Sequence, residues 1–176
     1  MYKLTRTAAL ATLLGLAACN APGPHTNSPY RKPHAQIYSN ASFQPSRISG
    51  DWHEVAGFYD PAHASCALGL THITSRADGS LDLTLKSCGG WGRPETVHAT
   101  PTASGRYRLA MSGPRGEAWW VLWVDQEYQT MAIGTPSGAF GAILARNGRV
   151  PADRITAAKE VMDFNGYDVK RLIAAR

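Results

Sequence analysis

The sequence predicts an all-β domain, with eight strands that follow one another as an antiparallel barrel or sandwich and a single helix after them. Beyond Ser49 the chain divides into short stretches rich in apolar, aromatic and β-branched residues. Turn residues separate those stretches at the spacing of a strand meander. The 17 glycines and 11 prolines also suit strands and tight turns better than long helices.

The strand and turn positions follow from where the apolar stretches and the turn residues fall. The predicted strands lie near 51–58, 67–75, 80–87, 94–100, 106–112, 118–125, 128–135 and 139–146. The predicted turns are Asp78-Gly79, Ser104-Gly105, Gly113-Pro114, Gln126-Glu127 and Pro136-Ser137-Gly138.

One helical pattern follows the eighth strand. Pro151 and Asp153 are start signals, and Asn165-Gly166 marks the end. Between them the apolar positions recur at helical spacing, at Ile155, Ala158, Val161 and Met162. The tail after the helix is predicted to add a strand or to pack on the wall of the strands, through Tyr167, Val169, Leu172 and Ile173.

Residues 1–18 are predicted to be a signal peptide. Lys3 and Arg6 precede an apolar stretch that is too short to span a bilayer as a stable helix. The run Leu16-Ala17-Ala18-Cys19 resembles the lipobox of bacterial lipoproteins, which implies a diacylglycerol on Cys19. Asn20 is not the aspartate that typically retains a lipoprotein in the inner membrane. We therefore expect a lipid-anchored protein of the outer membrane that faces the periplasm.

Residues 19–47 are predicted to be a lipid-anchored, proline-rich tether, and residues 48–176 the folded domain. The segment from Asn20 to Arg47 carries several prolines and shows neither a strand nor a helix period. The net charge of the chain is +5, but two of its basic residues lie in the signal peptide and the others form no run. Nucleic-acid binding is therefore not expected.

Two cysteines remain after processing, Cys66 and Cys88. They lie at similar distances on either side of the Asp78-Gly79 turn, so a hairpin would bring them nearly opposite each other. We favour a disulfide, which would stabilise the domain by about 3 kcal/mol. A redox pair or a metal site is the alternative, although the chain shows no C-x-x-C spacing.

Three motifs resemble those of the lipocalin family. Gly50-Asp51-Trp52-His53-Glu54-Val55-Ala56 is similar to the first-strand signature G-x-W-Y-E-[IV]-A, with His53 in place of the commoner tyrosine. Trp123-Val124-Asp125-Gln126 resembles the second motif, in which Asp125 takes the aspartate position. Ile143-Leu144-Ala145-Arg146 resembles the third, whose arginine packs over the first-strand tryptophan. The helix and the ending that follows it also look like those of bacterial outer-membrane lipocalins, so the resemblance covers residues 48–176.

The resemblance implies an eight-stranded antiparallel up-and-down β-barrel with one C-terminal α-helix packed on the outside. Gly50, Trp52, Asp125 and Arg146 then have structural roles, with Trp52 closing one end of the barrel and Arg146 lying across its ring. Alternation along the first and eighth strands would turn residues 52, 54, 56 and 58 and residues 140, 142, 144 and 146 inward.

Four residues become candidates for a ligand pocket by this alternation: Glu54, Phe58, Phe140 and Ala142. Trp120 of the sixth strand is a fifth candidate. Glu54 would either bind a ligand amine or hydrogen-bond to backbone, and we favour the second. The alternation of inward and outward residues does not show which of Trp119, Trp120 and Trp123 face the interior, because both faces of the sixth strand are apolar.

The expected function is the binding of a small hydrophobic or amphiphilic ligand, such as a fatty acid or lysophospholipid, for lipid storage, transport or envelope maintenance. The alternatives are a barrel filled by its own side chains that acts through protein partners and, less favoured, a lipocalin-fold enzyme. The six histidines show no metal-ligand spacing, and Ser137 lies in no nucleophile motif. We expect no cofactor, no metal and no catalytic residue.

Overall fold

The computed structural model describes residues 30–58, 70–85, 95–111 and 118–175. The strands are β1 (Gly50–Gly57), β2 (Leu70–Ser75), β3 (Leu81–Leu85), β4 (Glu95–Ala103), β5 (Arg106–Leu109), β6 (Trp119–Val124), β7 (Thr130–Gly134), β8 (Gly141–Ala145) and the short β9 (Ile173–Ala174). The one α-helix, α1, is Ala152–Phe164, and Pro45–Arg47 forms a 3-10 helix before β1.

Strands β1 to β8 form a closed antiparallel barrel. Each strand pairs with its neighbour in sequence, and β1 pairs with β8 as well as with β2. That last pairing closes the sheet, so the predicted eight-stranded up-and-down barrel is confirmed and the sandwich alternative is wrong. Closure gives β1 and β8 partners on both sides and so protects them from pairing with another chain.

Four of the turns that join consecutive strands lie where the sequence predicts them. Gly79 and Gly138 have positive φ angles of 81° and 72°, which a residue with a Cβ adopts only with strain. Ser104-Gly105 and Gln126-Glu127 likewise lie between consecutive strands. The predicted Gly113-Pro114 turn falls outside the described residues.

Helix α1 packs on the outside of the barrel over β6 and β7. Ala158 and Met162 are completely buried, while Ile155 and Val161 are partly buried against the same cluster. The predicted helix is thereby confirmed, and so is the tail, because β9 pairs with Ala56 and Gly57 of β1.

Part of the predicted tether lies against the barrel. Arg31 pairs with Tyr167 in an isolated β-bridge, and the backbone N–H of Asn40 donates to the Val121 carbonyl at 2.8 Å. Phe43 is 6% exposed in the barrel core. The tether prediction is therefore wrong from Tyr30 to Arg47. Long-range backbone hydrogen bonds, which leave no period in the sequence, hold this segment. Residues 30–42 are called the strap below; residues 19–29 lie outside the described part of the chain.

The apolar residues form two cores on opposite faces of the barrel wall. The inner cluster fills the barrel and comprises Phe43, Ile48, Trp52, Ile73, Leu81, Leu83, Leu85, Val97, Ala99, Tyr107, Leu109, Trp119, Val121, Tyr128, Met131, Ile133, Phe140, Ala142 and Leu144. The outer cluster lies beneath α1 and comprises Ala56, Phe58, Leu122, Ala132, Ile143, Ala158, Met162 and Tyr167. Every residue of β7 and β8 is buried, because both faces of these strands are covered.

Candidate functional site

Trp52 closes one end of the barrel, which is called the closed end below. The Trp52 side chain is fully buried, and its indole N–H donates to the Ile48 carbonyl at 2.7 Å. The Arg146 guanidinium lies 4.0 Å from the ring centroid, which is the cation–π geometry expected from the sequence. Gly50 makes room for this arginine, because a Cβ there would lie 2.8 Å from Arg146 Nη1.

The Arg146 side chain also fastens the backbone around the closed end. It donates to the carbonyls of Arg47 at 3.1 Å and of Tyr128 and Asp51 at 3.3 Å. Burial lowers the pKa of Arg146, and the Asp51 carboxylate partly offsets that effect. The arginine remains charged at neutral pH, and its role is structural.

A second cation–aromatic pair at the closed end was missed by the sequence analysis. The Arg47 guanidinium lies 4.1 Å from the Tyr128 ring centroid, and the Tyr128 hydroxyl accepts from the Gln44 backbone N–H at 2.8 Å. Tyr128 has a φ of 57°, a left-handed conformation rare for a bulky residue. Arg47 and Tyr128 lie far apart in the chain, so no local pattern signals their contact.

Asp125 holds the β6–β7 turn and attaches the helix to it. One carboxylate oxygen accepts from the Gln129 backbone N–H at 2.7 Å, and the other lies 2.7 Å from Arg154 Nη1. Arg154 is in the first turn of α1 and also pairs with Glu127. The motif aspartate therefore has a structural position at the closed end.

The inner cluster encloses a small apolar cavity. Its volume is about 20 Å³, counted as the space open to the centre of a water-sized sphere. One lining residue follows the 3-10 helix and the others come from six strands: Ile48, Ile73, Leu81, Leu83, Ala99, Tyr107, Trp119, Val121, Met131 and Ile133. A space of this size holds about one water-sized sphere, whereas ligand pockets span roughly 300 to 1,000 Å³. The part of the barrel next to the closed end is therefore nearly filled by its own side chains.

Apolar side chains continue from this cavity toward the opposite end, called the upper end below, where β1 ends and β8 begins. Trp119 and Phe140 stack there, with ring centroids 5.5 Å apart and planes 19° apart. Leu85 and Leu109 end their strands on this side, and the half-buried Met111 packs against the same cluster. An apolar ligand that enters from the upper end would meet these side chains first.

Phe58 does not point into the barrel, contrary to the sequence prediction. The pairing of β1 with β8 shifts between Glu54 and Ala56, which is a β-bulge. One extra residue in a strand reverses the alternation of the residues that follow it. Ala56 and Phe58 therefore belong to the outer cluster, where Phe58 stacks on Tyr167 at 5.1 Å between centroids.

Trp120 also lies on the outer face, so its place among the pocket candidates is wrong. Its ring packs against the outer cluster, beneath the Arg106 guanidinium at 4.0 Å. Trp119 is the tryptophan of β6 that faces the interior. A second bulge between Val121 and Trp123 then places Trp123 on the outer face as well.

The other three pocket candidates face the barrel interior. Phe140 and Ala142 are members of the inner cluster. Glu54 is 5% exposed and pairs with Leu144 of the inner cluster, which places both residues on one face of the sheet. Glu54 is thus a buried carboxylate on the interior face of β1, a face that it shares with the buried Thr71, which pairs with Trp52. The binding roles of these three residues stay predictions.

The predicted lipidation and disulfide residues, Cys19, Cys66 and Cys88, all fall outside the described residues. Among the described ones, no group of three or more histidine, cysteine or acidic side chains is arranged to hold a metal ion. His72 and His98 instead pair on the surface with Asp51 at 2.6 Å and Asp82 at 2.9 Å. Hydrogen bonds from Arg76 and His98 lower the pKa of Asp82. In the same residues, no helix has the length and apolarity needed to cross a bilayer.

Comparison with known proteins gives the same fold. A search of curated proteins finds no significant match. Among solved structures, the allergen Per a 4 from cockroaches has a TM-score of 0.58 at 12% identity, over 80% of this chain and 93% of that one. Apocrustacyanin C2 has a TM-score of 0.57 at 10% identity, over 80% of this chain and 88% of that one. The family model described as "Lipocalin-like domain" matches residues 43–176. This chain therefore belongs to the lipocalin-like domain family.

Proposed function

We propose that this protein is a membrane-anchored lipocalin that binds a small hydrophobic or amphiphilic ligand, such as a fatty acid or lysophospholipid. The observation that carries the proposal is the closed barrel with a wholly apolar cavity lining. Each methylene transferred from water into such an interior contributes about 0.8 kcal/mol, so an acyl chain needs few polar contacts. The proposed role is binding for lipid storage, transport or envelope maintenance, and not catalysis.

The upper end is the proposed place for the ligand. The cavity of about 20 Å³ beside the closed end is too small for an acyl chain. Phe140, Ala142 and Met111 provide apolar contacts between that cavity and the upper end. A bound chain would either lie above the stacked Trp119 and Phe140 rings or separate them to reach the cavity.

The small cavity also supports a second candidate function. Trp119 and Phe140 stack within the inner cluster, and the space beneath them has room for about one water-sized sphere. A barrel filled in this way would act as a structural or stress-related envelope protein that works through protein partners. Measurement of ligand uptake separates the two functions.

Native mass spectrometry of residues 20–176, exported to a periplasm and purified without detergent, tests the binding function. We expect a bound mass that matches a fatty acid or a lysophospholipid. Met111→Glu should weaken uptake, because it places a charge on the apolar path. Ala110→Glu is the matched control and should leave uptake unchanged, because Ala110 is next to Met111 in the chain but is exposed to solvent. An empty protein that takes up neither lipid when both are added would favour the filled barrel.

The proposed anchor is tested separately. The intact mass of the protein from membranes should include a diacylglycerol on Cys19, as the Leu16-Ala17-Ala18-Cys19 run implies. Cys19→Ser should release the protein into the soluble fraction. Fractionation of the envelope should place the unaltered protein in the outer membrane, and recovery with the inner membrane would contradict the interpretation of Asn20.

A further inference from the structure

The strap runs along the outside of the barrel from the upper end to the closed end. At its last residues, the Asn40 carbonyl accepts from the Ser104 hydroxyl of the β4–β5 turn, and Phe43 follows into the closed end. At its first residue, the Tyr30 ring lies 5.4 Å from the ring of Phe58, which follows β1. Tyr30, the first described residue, therefore lies at the upper end, opposite the Trp52 closure, and is called the exit point below.

The exit point is held by a buried arginine. Arg31 is 7% exposed, and its guanidinium donates to the carbonyls of Asn165 at 2.8 Å, of Ala35 at 2.7 Å and of Pro136. Pro136 belongs to the β7–β8 connection and Asn165 follows α1, so the arginine joins three elements of the upper end. Burial lowers the pKa of Arg31.

Backbone hydrogen bonds fix the same point. The Lys32 N–H donates to the Gly166 carbonyl at 2.8 Å, and the Asp168 N–H donates to the Tyr30 carbonyl at 2.8 Å. Both bonds tie the strap to the segment that follows α1. The position of the exit point at the upper end is therefore set by the fold.

The length of chain beyond the strap limits how far the upper end can lie from an anchored lipid. The eleven residue steps from Cys19 to Tyr30 span at most about 40 Å when fully extended. A free tether that ended at Arg47 would reach more than twice as far. Because the strap takes up that length, a lipid on Cys19 would keep the exit point at the upper end within about 40 Å of the bilayer surface.

The surface chemistry of the upper end fits an anionic lipid surface. Lys32, Lys170 and Arg171 are exposed beside the exit point, with Asp168 as the neighbouring carboxylate. Cations at such a position are attracted to anionic lipids.

Two exposed aromatic rings lie on the same side, where the strap passes the end of α1. Phe164 is 73% exposed and Tyr38 is 51% exposed, and their ring centroids lie 5.8 Å apart. Aromatic side chains favour the interface between lipid and water.

We propose that the upper end of the barrel docks on the anionic lipid surface to which Cys19 is attached, so that amphiphilic ligands pass between that bilayer and the barrel interior. The proposal rests on the proposed anchor at Cys19. It follows from the strap, which directs the tether to the upper end, and from the exposed cations and aromatic rings beside it. The closed end then faces away from the membrane.

Photocrosslinking of the full-length lipoprotein in vesicles of phosphatidylethanolamine and phosphatidylglycerol tests this orientation. A photoreactive phenylalanine analogue replaces Phe164 at the upper end or the exposed Ser46 at the closed end, one position at a time. We expect lipid adducts several-fold more often from position 164 than from position 46. Equal yields, or more adduct from position 46, would overturn the proposal.

Two variants test the cause of the orientation. Arg31→Gln removes the hydrogen bonds that hold the exit point at the upper end. The ratio of lipid adducts at position 164 to those at position 46 should therefore fall toward one. Arg149→Gln removes the same charge from an exposed position near the closed end and should leave the ratio unchanged. A ratio that responds equally to both variants would show that charge alone, without the strap, orients the barrel.

A second experiment, which uses a different anchor, distinguishes a failure of this proposal from a failure of lipidation at Cys19. The mass of the preparation shows whether Cys19 carries lipid. Independently of that result, residues 20–176 with a hexahistidine tag in place of Cys19 can be held on vesicles that contain a nickel-chelating lipid. Preferential labelling at position 164 supports the strap geometry even where native lipidation fails, and equal labelling of both ends overturns it.

Discussion

The inner and outer clusters share strands β7 and β8, yet they are packed in different ways. The inner cluster leaves a cavity of about 20 Å³ with an apolar lining. The outer cluster leaves no room for a methyl group at two glycines, since a Cβ on Gly134 would lie 2.5 Å and one on Gly141 2.9 Å from Tyr167. The Tyr167 hydroxyl accepts from the Thr135 N–H at 2.8 Å and donates to the Phe140 carbonyl at 2.8 Å.

The two ways of packing suit two different roles, fixed attachment on the outer face of the barrel and exchange of a guest in its interior. Hydrogen bonds and close contacts in the outer cluster fix α1 and the strap in one arrangement. The inner cluster is held mainly by apolar contacts, which have no directional requirement and tolerate exchange of one apolar group for another. An interior of this kind suits an exchangeable guest, whereas the outer face suits a fixed attachment.

The largest expected effect is loss of the closure that the inner cluster depends on. Trp52→Ala should lower the free energy of unfolding by roughly 3 to 5 kcal/mol, because it removes a fully buried indole and leaves a cavity. Urea denaturation measures the change. Trp123→Ala, in the partly buried rim of the outer cluster, is the matched control and should cost less. An unaltered melting temperature for Trp52→Ala would contradict its placement.

A single methyl group added to the outer cluster should also destabilise the protein. Gly134→Ala places a Cβ against the Tyr167 hydroxyl and should cost about 1 to 3 kcal/mol. A double-mutant cycle with Tyr167→Leu measures the contact, since the smaller side chain should remove most of that cost. Independent, additive effects of the two changes would show that the clash is not the cause.

A methyl group added to the inner cluster should instead raise the free energy of unfolding. Val121→Ile extends a cavity-lining side chain by one methyl group and should stabilise the protein by roughly 0.5 kcal/mol. Thermal and urea unfolding measured beside Gly134→Ala provide the comparison. A loss above about 1 kcal/mol would mean that the inner cluster is packed as tightly as the outer one.

The smallest effect at neutral pH is expected from a hydroxyl in the inner cluster. Burial raises the pKa of Tyr107 to about 12, with a smaller contribution from Tyr128. The unfolded chain releases this proton first, near pH 10, so the stabilisation is complete below about pH 10 and is lost as the pH rises through about 12. Tyr107→Phe should therefore reduce the alkaline loss of stability, as followed by unfolding at a series of pH values. Identical pH profiles would contradict the burial of the hydroxyl.

Much of the fold is visible in the sequence because it depends on neighbouring residues. Alternating apolar residues place the eight strands, glycines with positive φ mark the turns, and a helical period marks α1. The closure by Trp52 and Arg146 followed from the family resemblance and has the expected geometry. Membrane anchoring and the binding roles of Glu54, Phe140 and Ala142 remain proposals.

Three features were decided only by the tertiary structure. The bulge after Glu54 reverses the alternation, so Phe58 lies in the outer cluster. Both faces of β6 are apolar, and only the folded barrel shows that Trp119 faces the interior while Trp120 packs against the outer cluster. The strap packs on the barrel through hydrogen bonds to residues more than a hundred positions away, such as that from Arg31 to Asn165. A local pattern records which residues are apolar, whereas a bulge or a long-range contact depends on the strand or loop that lies beside it in the folded chain. The sequence by itself therefore determined the strands, the turns and the helix, and the folded chain decided which side chains face the interior and where the strap packs on the barrel.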